Sequence, residues 1–126
     1  MNLTAIRGLF ALAALYDGIL GALFLIAPSW FFTQFEITPP NHFGYVQFPA
    51  ALLIIFGVMF VRIAQAPQQH AGLILYGVLL KLAYCSLTFA YWFSSGIPWV
   101  WKPFAIIDLV MLGLFAWSWK LLQRHR

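Results

Sequence analysis

Asp17, Lys81 and Asp108 are the residues of this sequence best placed to do chemistry. Each lies deep within a long apolar run, where a charged side chain is costly unless it is paired, protonated or hydrated. Asp17 is ten residues beyond Arg7, Lys81 ten beyond Ala71, and Asp108 eleven before Trp119. At the helical rise this puts all three about 15 Å from the same edge of an apolar layer about 30 Å thick. Three helices thus contribute one residue each at one level, and an up-down bundle would bring them into contact. Lys81 can neutralise one carboxylate. A second ionised carboxylate would leave an uncompensated negative charge, so Asp17 and Asp108 are expected to share a proton near Lys81, in a coupled site that responds to a substrate or partner. A plainer reading stands beside this one: a Lys81 to Asp108 pair fixes helix register while Asp17 bonds to backbone or to a tyrosine. Residue types alone leave both open.

The run that carries Lys81 extends the polar theme. Gly77, Lys81, Tyr84, Thr88 and Tyr91 follow i, i+4, i+7, i+11 and i+14 spacing, which sets them on one helical face that is expected to turn inward. Tyr84, Thr88 and Tyr91 are therefore candidate ligand-lining residues, and the tyrosine hydroxyls suit a lipid headgroup, a quinone carbonyl or a sterol-like hydroxyl. The same tyrosines would serve equally as ordinary bundle packing. In the first run, Ala14, Gly18 and Ala22 form a small-residue stripe beside a second one of Ala13, Asp17 and Gly21, which lets another helix approach closely.

Other chemistries lack their residues. His42, His70 and His125 all fall outside the apolar runs, which argues against a haem held between two transmembrane histidines. The sequence holds no His, Cys and carboxylate set at metal-ligand spacing, no phosphate-binding glycine loop and no nucleophile elbow, so no catalytic residue and no metal ligand is assigned. Its single cysteine, Cys85, permits neither an intrachain disulfide nor a dithiol relay and reads as a small packing residue.

The elements that must position these residues follow from composition. Of 126 residues, 63% are hydrophobic and 8% are charged, against about a quarter charged in an ordinary soluble domain. Four apolar runs, 8–27, 46–64, 71–93 and 104–119, each approach the length a helix needs to cross hydrocarbon. Pro28, Pro39, Pro40, Pro67, Gly96, Pro98 and Pro103 punctuate the breaks between them. Alternating ten-residue segments, the mark of a membrane barrel, are absent, and so is an evident internal repeat. The fold class expected is an all-α integral membrane four-helix up-down bundle forming a single domain over 1–126. The first run is expected to be a retained span, since it is too long for an ordinary signal core and Asp17 interrupts it.

Arg7, Arg62, Lys120, Arg124 and Arg126 flank one side of this four-span arrangement, whereas the other has Lys102 with Glu36 nearby, so both termini are expected in the cytoplasm. The formal charge of +4 is accounted for by these span-end residues, and nucleic acid is not expected as a partner. The outer loop 28–45 is rich in aromatic residues. With Trp30 there and Trp99 and Trp101 in the second outer loop, three tryptophans are expected to act as interfacial anchors; a substrate-gating role for the longer loop is the alternative.

The Gly-rich first run around Leu15 to Phe24, the proline-bearing outer loop, the stretch Pro49 to Phe60 with Gly57, and the Lys81-Leu82 step together resemble the DoxX-like group of small four-helix bacterial membrane proteins. The resemblance implies a multi-pass accessory protein of the bacterial inner membrane, in a group sometimes associated with quinone or redox systems; it carries over no functional residue. The leading expectation is a non-enzymatic accessory protein or subunit whose buried polar core holds a lipophilic ligand such as a lipid or quinone. Its partners would be membrane lipid and either further copies of itself or a larger membrane complex. Two alternatives are a proton-coupled carrier of a small hydrophobic or cationic compound, and an intramembrane enzyme acting on a sterol-like or isoprenoid substrate with an aspartate as acid or base.

Overall fold

A computed structural model describes residues 2–124, and every regular element in them is a helix. The order is α1 (Leu3–Ile26), α2 (Pro28–Gln34), α3 (Gly44–Gln65), α4 (Ala71–Trp92) and α5 (Trp101–Arg124). All but α2 are long and apolar enough to cross a membrane.

Helix ends differ from the apolar boundaries in instructive ways. Asn2 caps α1, its side chain accepting from the Ala5 amide at 2.8 Å, so the helix begins five residues before the expected run and includes Arg7. At the other end Ala27 leaves helical geometry and Pro28 opens α2 at once. Proline suits a first helical position because its fixed φ is already helical and its missing N–H would have had no partner. The segment read as loop 28–45 therefore contains a helix of 7 residues, a correction to the sequence reading. Pro103 is another: it lies in the first turn of α5, for the same reason, instead of breaking the chain ahead of it. α5 also runs on past 119 to Arg124. Apolar composition marks where burial or lipid ends, and backbone hydrogen bonding can continue beyond it.

The four long helices associate as two antiparallel pairs. In the first, α1 packs along α3, with Gly8 and Ala11 beside Val61 and Ala64 near one end and Gly21 against Ala50 and Ile54 further along. A Cβ on Gly21 would lie 2.7 Å from the Ala50 carbonyl oxygen and 3.1 Å from the Ile54 nitrogen, so a glycine is required for this backbone contact. In the second pair, α4 packs along α5, with Leu75 and Val78 beside Trp117 and Lys120, and the Cys85 thiol 3.6 Å from the Ala105 carbonyl oxygen. Cys85 is buried there as a packing residue.

Two aromatic clusters join the pairs. Near the end that carries Arg7, Arg62, Lys120 and Arg124, Phe10 stacks on Phe115 at 4.7 Å between ring centroids, and Phe60 lies 5.9 Å from Phe10 and 5.3 Å from Phe115. Gly77 of α4 makes room for Phe60, whose ring would meet a Cβ there at 2.8 Å. At the opposite end, α2 lays Phe31 against Phe24 at 4.5 Å and Trp101 at 5.6 Å. Arg126 of the charge pattern and His125 of the histidine set lie outside the described residues.

Gly21→Ala is expected to lower stability by about 1–3 kcal/mol, because the backbone of α3 must move away. Gly18→Ala, where nothing lies within 4 Å of the added methyl, is expected to leave it nearly unchanged. Thermal unfolding of the two variants in detergent measures the difference.

Candidate functional site

Heptad spacing builds the site. On α1, Phe10, Asp17 and Phe24 recur every seven residues, and on α5 Trp101, Asp108 and Phe115 do the same. Seven residues are nearly two full turns, so each trio shares one face, with successive members about 10.5 Å apart along the axis. Each helix thus offers an aromatic side chain to each cluster and an aspartate between them. Lys81 enters from α4, four residues beyond Gly77.

The structure brings Asp17, Lys81 and Asp108 together. The Lys81 ammonium donates to both Asp17 carboxylate oxygens at 2.9 Å and to Asp108 Oδ1 at 3.1 Å. Asp17 and Lys81 are each only 1% exposed and Asp108 7%. The ammonium also sits 5.3 Å from the centre of the Tyr16 ring, a cation–π contact. A lysine ammonium has three hydrogens and no acceptor, so these three bonds use all of its capacity. Both oxygens of Asp17 are occupied as well. Asp108 differs: its Oδ2 has no hydrogen-bond partner among the described residues, yet the side chain retains 11% exposure, which leaves one carboxylate oxygen accessible. The sequence alternatives for Asp17 are corrected here, since among the described residues its carboxylate bonds to lysine and neither to backbone nor to tyrosine.

An apolar cavity of ≈ 310 Å³ adjoins this layer on the side of α2. Asp17 and Asp108 form its floor; Phe24 and Trp101 close the far end, beneath Phe31 of α2. Leu53, Phe56, Leu80 and Phe104 stand along its walls. Pro49 and Leu52 of α3 line it and are also exposed, so its mouth lies on the flank of the bundle. No lysine, arginine or histidine lines it among the described residues.

Of the three expected lining residues, Tyr84 alone lines this cavity, and its hydroxyl donates to the Trp101 carbonyl oxygen at 3.1 Å. Thr88 is half-buried outside it. Tyr91 is 58% exposed, since it stands ten residues beyond Lys81 and hence about 80° round the helix from it. Among the expected anchors, Trp30 and Trp99 are exposed. Trp101 is a correction: it turns inward, 5.9 Å from Phe24, and forms the cavity's end wall.

Tyr16 was not singled out from sequence. It lines the cavity, and its hydroxyl is buried with no hydrogen-bond partner among the described residues. Nothing in its spacing distinguishes it, whereas the heptads on α1 and α5 would have pointed to Phe24 and Trp101. Among the described residues no three His, Cys, Asp or Glu side chains gather in a metal-binding group.

Fold and site together have the make-up of a multi-pass helical membrane protein with an ion-bonded layer at mid-height and a side-opening apolar cavity. No protein-family model, curated protein or solved structure matches the chain, so the resemblance to the DoxX-like group rests on its sequence features alone.

Lys81→Met leaves two buried carboxylates without their cation and is expected to cost roughly 3–5 kcal/mol. Replacing all three residues by apolar ones (Asp17→Leu, Lys81→Met, Asp108→Leu) is expected to restore most of that loss, because no uncompensated polar group then remains. Thermal unfolding in detergent compares the variants.

Proposed function

We propose that this chain is a small accessory protein of the bacterial inner membrane that holds a lipophilic ligand, of the lipid or quinone class, in the cavity beside Asp17, Lys81 and Asp108. The observation that carries this reading is the cavity itself: it is apolar along its walls, is floored by carboxylates, and opens on the flank of the bundle. In a bilayer such a mouth faces acyl chains, so an apolar molecule can enter without crossing water.

The membrane setting is part of the proposal. The four long helices would span the bilayer with Arg7, Arg62, Lys120 and Arg124 on the cytoplasmic side, following the bias of basic residues toward that side. Exposed Trp30 and Trp99 at the other end would then sit at the outer headgroup level. The outer helix faces are apolar, with Leu15, Ile19, Ile55 and Leu79 exposed along them, and they suit lipid, further copies of this chain or a larger membrane complex. A non-enzymatic role agrees with the accessory character that the DoxX-like resemblance implies.

Two measurements test the reading. Thr38→Cys in the α2–α3 connection is expected to react with an impermeant maleimide added outside intact cells, and Gln68→Cys between α3 and α4 only after lysis; the reverse pattern overturns the orientation. Leu53→Trp fills the cavity, so mass spectrometry is expected to find a lipophilic molecule with the purified wild-type protein and little or none with the variant. Equal recovery from both would remove the cavity as its site.

A further inference from the structure

The polar groups left free at the cavity define what the head of a ligand must be. Lys81 has spent its three hydrogens and does not line the cavity. Tyr84 has given its hydrogen to the Trp101 carbonyl oxygen. The accessible group with an unused valence is Asp108 Oδ2, an acceptor on a residue 7% exposed. Ionised, Asp17, Lys81 and Asp108 together carry one net negative charge, and the described residues bring no second cation to the cavity. From that carboxylate to the far end, the cavity is lined by the rings of Tyr16, Phe24, Phe56, Trp101 and Phe104, whose electron-rich faces favour cations. The buried Tyr16 hydroxyl without a partner is a second polar group at this wall for a ligand to satisfy, as its isolation is costly.

We infer that the cavity selects a lipophilic cation, an alkyl- or arylalkyl-ammonium whose N–H donates to Asp108 Oδ2 while its apolar part lies along the aromatic walls toward the mouth between Pro49 and Leu52. This rests on the proposed lipophilic-ligand reading and sharpens it, because a neutral quinone or lipid carbonyl could take the Tyr16 O–H as its donor but would leave the Asp108 Oδ2 acceptor and the net negative charge of the floor unanswered. The ammonium brings the charge of the floor to zero. It does so on the face of Asp108 turned away from Lys81, so the two cations share a carboxylate without competing for an oxygen.

Octylammonium and 1-octanol, equal in apolar length, separate the two claims. Each is titrated calorimetrically into the protein in phosphatidylcholine nanodiscs near neutral pH, with empty nanodiscs subtracting partition into lipid. Octylammonium is expected to bind wild type at least about tenfold more tightly than octanol, the difference a charge-assisted hydrogen bond makes. Asp108→Asn is expected to abolish that preference, bringing the two affinities together, and Leu53→Trp to weaken both. Equal affinity of the two probes for wild type, as a permanently protonated Asp108 would give, overturns the cation inference and leaves the lipophilic site standing. Binding of neither probe overturns both. The probe comparison on wild type decides the matter even where Asp108→Asn does not fold.

Discussion

The bonds from one ammonium to two carboxylates on different helices organise the molecule. Asp17 belongs to the α1–α3 pair, whereas Lys81 and Asp108 both belong to the α4–α5 pair. The Lys81 to Asp17 contact therefore crosses the seam between the pairs, and the Lys81 to Asp108 contact reinforces one of them. None of the three can be buried singly at tolerable cost, so each requires the others in place. This makes relative height a matter of near all-or-none choice: a slip of one helical turn would move Asp17 by 5.4 Å from Lys81 and strand both.

Packing on either side agrees with that register. Phe10, Phe60 and Phe115 fill the seam toward the basic end, and Phe24, Phe31 and Trp101 fill it toward the other. Small residues set the separations, with Gly21 admitting α3 to α1 and Gly77 admitting the Phe60 ring to α4. Tight contact at Gly77 and a remote aromatic cluster leave the stretch between them underfilled. The cavity is thus a product of where the large and small side chains fall along the helices.

Much of this was legible in the sequence and some was not. Four apolar runs gave the four long helices, and the equal depth of Asp17, Lys81 and Asp108 gave their meeting, because helical rise is fixed and an up-down arrangement preserves height. Boundaries are less accessible: Pro28 and Pro103 lie between apolar runs and look like breaks, although proline at a first turn starts a helix. The position of Trp101 near a span end suggests an anchor, and only its seven-residue step to Asp108 reveals that it turns inward. Spacing puts Tyr91 on an inward face, but at fourteen residues from Gly77 the face has rotated and the neighbours have ended. The cavity had no sequence signature, because a void depends on distances between helices that no single helix encodes.

The short helix that Pro28 opens has an effect on how concentrations should be counted. With α2 laid over the axial end of the bundle and the entrance on the flank, a molecule in the proposed bilayer setting reaches the cavity from the lipid phase and not from the aqueous one. The relevant concentration is then that of the solute dissolved in hydrocarbon, which can exceed its bulk-water value by its partition coefficient. Two compounds of identical intrinsic fit would thus occupy the site unequally in proportion to their lipid solubility, and occupancy would follow the composition of the surrounding leaflet.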